Sequence, residues 1–365
     1  MIEWKKEVIG VKKRMIAALL SVLLLLPLCA CGARRDVEKS LPQETGQNEP
    51  GVTAAPAPEI VSTEASFPLL AAPFSDAQSE AMVNHNCRRC ALMVENYFYC
   101  GCALSDGSRA LVRFEVIDGG LYRPEVLRGG CGADYLTLWD GRLYYLGPGG
   151  RPESIALDGS DCRAELNETC LSLQPFGGAL YCLLPDGTLL ALRGGEREQL
   201  PIRCGWAFVS DAGVFYTAAA DGRAHLYDPA SRTDIVLTAA AAEGLTVIKQ
   251  MLYFAADGAL CALDLANGEL LRSEYPLAAA PEFLWSYDYG WYARLRIGGE
   301  TRLAPLGGLF GNVASFPAAE GSRVCRAVDG DLRTDELFDA SGATVAFALV
   351  MPDGRDLRMN AERLG

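Results

Sequence analysis

Residues 177–195 read GGALYCLLPDGTLLALRGG: an apolar run, an Asp-Gly pair and a second apolar run. Such a pattern predicts two strands joined by a tight turn, because Asp-Gly and Gly-Gly tolerate the positive φ angles of two-residue hairpin turns. The pattern returns along the chain. An apolar-aromatic pair is followed five to eight residues later by a turn glycine at Phe98-Tyr99 with Asp106-Gly107, Leu143-Tyr144 with Gly149-Gly150, Leu180-Tyr181 with Asp186-Gly187, Phe215-Tyr216 with Asp221-Gly222, Leu252-Tyr253 with Asp257-Gly258, and Trp291-Tyr292 with Gly298-Gly299. A weaker seventh copy, ATVAFALVMPDGRDLRM, turns at Asp353-Gly354. No stretch shows a convincing helical period.

Successive turn glycines lie 43, 37, 35, 36, 41 and 55 residues apart, too far for single hairpins and right for four-stranded antiparallel units. Each hairpin is followed by a further short strand such as REQLPI or TDIVL and preceded by one such as CLSLQPF or WAFVS. One small sheet cannot bury both faces, whereas sheets stacked around an axis cover one another. The fold class expected is therefore all-β: a β-propeller of four-stranded antiparallel blades, seven by this count, over residues 69–365. Little chain follows the seventh copy, so Ala65–Phe74 is expected to close the ring by pairing with it.

The recurring G-x-L-Y-Y … D-G-x-L-x-x-L pattern resembles the low-density-lipoprotein-receptor-like β-propeller family found in many bacterial lipoproteins, over roughly Met93 to Arg358. That resemblance implies six blades as the alternative count and carries no established activity.

The N-terminal third departs from the repeat. Lys12, Lys13 and Arg14 precede an uncharged apolar run, Met15 to Leu28, that is too short for a comfortable membrane span and has the form of an export signal. The following LCACG resembles the lipobox of bacterial lipoproteins at Leu28, Ala30 and Cys31, with Cys29 a mild departure. The resemblance implies cleavage before Cys31, a diacylglycerol on its sulfur, and an extracytoplasmic protein held to the cell membrane by its lipid. Residues 1–30 are then the signal peptide and residues 31–68 the lipidated cysteine and a Pro-, Glu- and Thr-rich flexible tether. Glu3, Trp4 and Glu7 are foreign to an export signal, and translation is expected to begin at Val11.

Charge narrows the partners. The chain carries 33 Lys and Arg against 46 Asp and Glu, and the chain from Cys31 onward carries 28 against 44, without a basic stripe. Nucleic acid is excluded as a partner. Half of all residues are hydrophobic, enough for a substantial core.

Candidate chemistry is sparse. His85, Cys87, Cys90, Cys100 and Cys102 have the outline of a thiolate metal set, a disulfide among them suits an exported protein, and buried packing thiols are the third reading. Cys182 occupies the register that Cys100 and Tyr145 hold in their repeats, and a position where Cys and Tyr interchange is a packing position. No metal and no cofactor is expected. Asp329, Asp331, Asp335, Glu336 and Asp339 lack the spacing of a calcium loop and read as a solvated acidic loop. In WSYDYGWY, alternation places Trp285 and Tyr287 on one face as candidate ligand-binding aromatics, with inter-blade packing as the competing role. His85 and His225 are the only histidines, and no nucleophile elbow, phosphate loop or zinc-protease motif is present. The function expected is a non-catalytic binding or scaffolding module for a protein or cell-wall glycan; the alternative is a carbohydrate-active hydrolase or lyase using carboxylates at the channel mouth.

Overall fold

The computed structural model describes residues 60–103, 108–117, 120–286, 290–297, 300–306, 314–315, 322–329, 332–338, 344–350 and 356–360. Cys31, Val11 and Tyr287 lie outside them.

Among the described residues the strands form seven four-stranded antiparallel meanders. The first runs Ala91–Val94, Tyr97–Ala103, Arg109–Ile117, Gly120–Gly129, and the second Asp134–Trp139, Arg142–Leu146, Pro152–Ala156, Arg163–Ala164. The third and fourth share one long strand, Glu196–Ser210. Its N-terminal part pairs with Thr188–Arg193 and its part from Cys204 onward pairs with Gly213–Ala218, so a single strand leaves one sheet and opens the next. The fifth begins at Glu243–Ile248, the sixth at Glu282–Ser286 and the seventh at Ser322–Asp329. Several turns have the backbone the sequence demands: Asp257-Gly258 has φ angles of 49° and 68°, and Gly177-Gly178 of 56° and 77°.

The opening strand of each meander is its inner strand. Ala91–Val94 touches both Asp134–Trp139 and Ser322–Asp329, which brings the first and last sheets together and closes a ring. Within each sheet the strands descend and ascend alternately. The first and third turns therefore lie on one face, here the lower, while the second turns and the crossovers between sheets lie on the upper.

Apolar side chains fill the spaces between sheets. Tyr99 and Leu111 of the first sheet pack with Leu136 and Tyr145 of the second; Leu180 and Cys182 of the third pack with Tyr144 and Leu146 of the second. Leu143, Leu180, Phe215 and Leu252, the apolar members of the recurring pairs, are almost completely buried, each contributing about 2 kcal/mol.

Two expectations fail in the segment that precedes the ring. Residues from Val61 onward, given by composition to the tether, are part of the fold. β1, Val61–Glu64, adds in parallel to the outer edge of the fourth sheet, Val61 opposite Thr233 and Glu64 opposite Val236. The chain then crosses the lower face, where the Leu69 amide donates to the Leu265 carbonyl and the Phe74 amide to the Lys249 carbonyl, both at 2.8 Å. Ala65–Phe74 thus straps the fifth sheet and does not complete the last. The last sheet lacks nothing, because Asp356–Asn360 supplies its fourth strand.

The second failure is a helix. α1, Asp76–Asn86, is a regular α-helix in a segment where no helical period was expected. Its buried residues are Ser79, Met82, Val83, Asn84 and His85, so the inward positions are mostly polar and periodicity in hydrophobicity is absent. The legible signal was its start: Ser75 accepts from the Gln78 amide while the Gln78 side chain accepts from the Ser75 amide, a reciprocal cap written as Ser-x-x-Gln.

Candidate binding site at the ring axis

α1 is fixed by side chains at every turn. At its first turn Asp76 pairs with Lys249 at 2.6 Å and accepts from the Trp291 indole at 3.3 Å, and Gln78 donates to Asp211 at 3.2 Å. The lysine and then the indole hold the Asp76 carboxyl below its ordinary range. Further along, the Lys249 amide donates to Ser79 Oγ and the Val247 amide to the Met82 sulfur, at 3.3 and 3.0 Å. At the far end Asn86 donates to the Leu245 carbonyl and to Thr246 Oγ1, at 2.8 and 2.7 Å. The helix therefore runs antiparallel to the inner strand Glu243–Ile248, rising from the lower face to the upper. It also touches the inner strands of the fourth and seventh sheets, and His85 reaches Tyr135 in that of the second. A helix in contact with strands on several sides of the ring lies on the axis.

At its upper end α1 presents His85 to a cage of rings. Tyr135, Phe208 and Trp206 have centroids 5.1, 5.6 and 5.8 Å from the imidazole. The ring is hydrogen-bonded to the Ala207 backbone, and its Nε2 is buried without a partner. Burial, partly opposed by that hydrogen bond, lowers the His85 pKa to about 4, which keeps the ring neutral at pH 7. Desolvation also pushes the Tyr135 hydroxyl up to about 12, against the nearby positive charge of Arg88.

The inner strands are irregular where they meet this end of the helix. Pairing registers shift between Asp134 and Thr137, between Cys204 and Trp206, and between Glu243 and Thr246. Tyr135 itself sits at φ 59° and Arg88 at φ 53°, left-handed conformations unusual for bulky residues. Bulges of this kind turn a side chain off its regular alternation. Here they turn Tyr135 and Trp206 toward the axis and free Leu245, which has no partner in the ladder, for Asn86.

The sequence-predicted candidates lie elsewhere. Trp285 is in Glu282–Ser286, paired with Trp291, but its side chain, like Tyr287 entirely, lies outside the described residues. Trp291 is half-buried and packs between the fifth and sixth sheets as well as against α1. Cys87 closes α1, its sulfur donating to the Asn84 carbonyl at 3.4 Å; Cys90 is buried beside the start of the first sheet, and Cys100 pairs with Ala91. The side chain of Cys102 and those of Asp329, Asp335 and Glu336 are outside the described set, as are Asp331 and Asp339. Cys131, Cys162, Cys170, Cys182, Cys204 and Cys261 are free thiols, and among the described residues no three His, Cys, Asp or Glu side chains converge on a common point.

His225 forms the one other histidine site. Its Nδ1 lies 3.0 Å from Asp234 Oδ2, and the Tyr216 hydroxyl donates to Asp234 Oδ1 at 2.9 Å. A carboxylate orienting an imidazole is half of a nucleophilic catalyst, but His225 Nε2 is buried and meets no hydroxyl or thiol. Burial and Asp234 both push the Tyr216 hydroxyl up, so the cluster acts as a buried tie across strands two, three and four of its sheet.

No protein-family model matches the chain, and no curated protein matches it. Solved structures do. The computationally designed Ika8 protein aligns at 15% identity and a TM-score of 0.50, over 74% of this chain and 85% of that one. The extracellular domain of BT4673 from B. thetaiotaomicron aligns at 10% identity and a TM-score of 0.51, over 72% of this chain and 40% of that one. The WD40 β-propeller domain of Doa1 aligns at 13% identity and a TM-score of 0.44, over 74% and 91%. At these identities the likeness concerns architecture alone. With the ring of four-stranded antiparallel sheets described above, it identifies the chain as an all-β protein of the β-propeller fold.

Proposed function

We propose that this protein is a seven-bladed, membrane-tethered extracytoplasmic propeller that binds or scaffolds a protein or a cell-wall glycan without catalysing a reaction. The observation that carries this reading is α1 on the axis. A channel hydrolase needs its substrate between two carboxylates at the channel mouth; here the chain's own helix fills the axis, and its upper end presents aromatic rings, an amide and a neutral imidazole. Rings of this kind bind through surface and hydrogen bonds. The likeness to an extracellular domain supports an extracytoplasmic address. Trp285 and Tyr287 remain the binding candidates on the sixth sheet.

The tether is part of the proposal. The described residues begin at the lower rim, at residue 60, and in this reading the chain between it and Cys31 leads to the lipid. Cys31→Ala is expected to leave the precursor uncleaved or released from the membrane, because no other cysteine has a usable cleavage context. Membrane fractionation identical to wild type would remove the lipoprotein reading. The non-catalytic reading is tested by incubating purified protein with isolated cell-wall sacculi: retention in the pellet without release of soluble reducing sugar is the expected result, and steady release of sugar would establish the hydrolase instead.

A further inference from the structure

Cys182 lies in the second strand of the third sheet, Ala179–Leu183, opposite Leu173 in the first. Cys170 precedes that sheet, in the crossover that brings the chain from the second. Its amide donates to the Gly150 carbonyl of the second sheet at 2.8 Å, and the next amide, that of Leu171, donates to the Leu183 carbonyl of the third at 2.7 Å. The crossover is thus pinned to both sheets, and Cys170 enters the apolar space between them. There Cys170 and Cys182 belong to one buried cluster with Leu146, Leu166 and Leu180, the two cysteines being 3% and 0% exposed. Their thiols are hydrogen-bonded to each other. The repeat explains a cysteine at 182, where Tyr145 stands in the second sheet; it does not explain a second cysteine, outside the repeat, that meets the first. Contact between two thiols is the arrangement from which a disulfide closes, its Cβ atoms about 3.8 Å apart.

We propose that Cys170 and Cys182 are joined by a disulfide in the exported protein, clamping the crossover to the third sheet at its seam with the second. This rests on the extracytoplasmic address proposed above, where disulfides persist. In forming the S–S bond the two thiols lose two protons and two electrons. A disulfide-bearing oxidant, glutathione disulfide or an oxidised protein dithiol, takes them up and leaves as two thiols. The route is exchange: one cysteine thiolate attacks the oxidant's disulfide, and the other displaces the oxidant's remaining sulfur from the mixed disulfide. Burial sets the order of events. In the folded protein contact with Cys170, and then burial, push the Cys182 thiol well up, so it offers no thiolate, and neither sulfur is open to an oxidant. Exchange therefore takes place before the third sheet packs on the second, and the finished bond is shielded from reductants. The bond stabilises chiefly by restricting the unfolded chain between the two cysteines.

Cells making the full chain are quenched in acid, and the protein is denatured, alkylated with N-ethylmaleimide without reductant, digested and read by mass spectrometry. The expected result is a peptide pair linked through Cys170 and Cys182, lighter by two hydrogens than its separate halves, with neither residue alkylated. Alkylation of both residues in the bulk of the protein overturns the bond. The address is read in the same cells, where Cys162, an exposed thiol, is expected to react with a membrane-impermeant maleimide before lysis. If Cys162 reacts in intact cells while Cys170 and Cys182 are found alkylated, the pair is wrong and the address stands. If Cys162 reacts only after lysis, the address is wrong, and protein reduced, denatured and refolded in a glutathione redox buffer decides the pair alone: the linked peptide keeps it and two alkylated thiols remove it. In calorimetry, reductant is expected to lower the melting midpoint of the wild type by roughly 5 °C and to leave Cys170→Ala unmoved. Equal shifts in the two proteins would assign the effect to other cysteines and remove the clamp.

Discussion

A neutral imidazole buried in a cage of rings is a titratable liability, and His85 makes the fold sensitive to acid. Its pKa falls from 6.5 in the unfolded chain to about 4 in the folded one, so between these values the unfolded state binds the extra proton. Stability is undiminished well above pH 6.5, falls as the pH drops through it, and has lost the whole contribution only below pH 4. A shift of this size corresponds to roughly 3 kcal/mol. Urea unfolding of wild type and His85→Phe at pH 7.5 and pH 4.5 isolates it: wild type is expected to lose about 2.5 kcal/mol more than the variant, and parallel losses would show that the ring is protonated in place. The environment that sets this value was illegible in the sequence, where His85 stood beside Cys87 and Cys90 and suggested metal ligation. Nothing local announces that residues 120 positions downstream in the chain will cage it.

At the scale of elements, the hairpins were legible and the helix was not. Strand-turn-strand units declare themselves through apolar runs and Asp-Gly turns, both local properties. α1 buries Ser79, Asn84 and His85, so its inward face reads as surface; what makes it a helix on the axis is the set of partners that the fifth and second sheets provide. Its start depends on the reciprocal cap of Ser75 and Gln78, and Ser75→Ala is expected to cost about 1 kcal/mol, read as a lower midpoint of chemical unfolding. The strap behaves as part of the same element. A chain starting at residue 60 is expected to melt at the same temperature as one starting at residue 33, whereas a chain starting at residue 75 loses β1 and the Leu69 and Phe74 amide bonds and is expected to melt lower in calorimetry. Equal melting of all three would mean that the strap adds nothing to the ring.

At the scale of the molecule, the ring is closed by contact between complete sheets. The first and seventh meet through their inner strands, and the seventh owns all four of its strands. Removing residues 340–365 deletes Thr344–Val350 and Asp356–Asn360, which exposes one side of the first sheet and opens the stack in which each sheet covers its neighbours. Loss of a single cooperative thermal transition is the expected outcome; a transition as sharp as that of the full chain would mean that the remaining sheets close without the last.

The sequence by itself determined the repeat, the four-stranded unit, the turn positions and the apolar slots between sheets, because each depends on residues within one unit of about forty positions. Of the three residues at this repeat position, Cys182 and Tyr145 are completely buried and Cys100 is half-buried. Only the tertiary structure decided what lies on the axis, where the strap crosses and which sheet β1 extends. These are pairings between residues 60–86 and residues beyond 200, made through backbone groups and polar side chains that have no periodic signature and become partners only when the ring has brought them within reach.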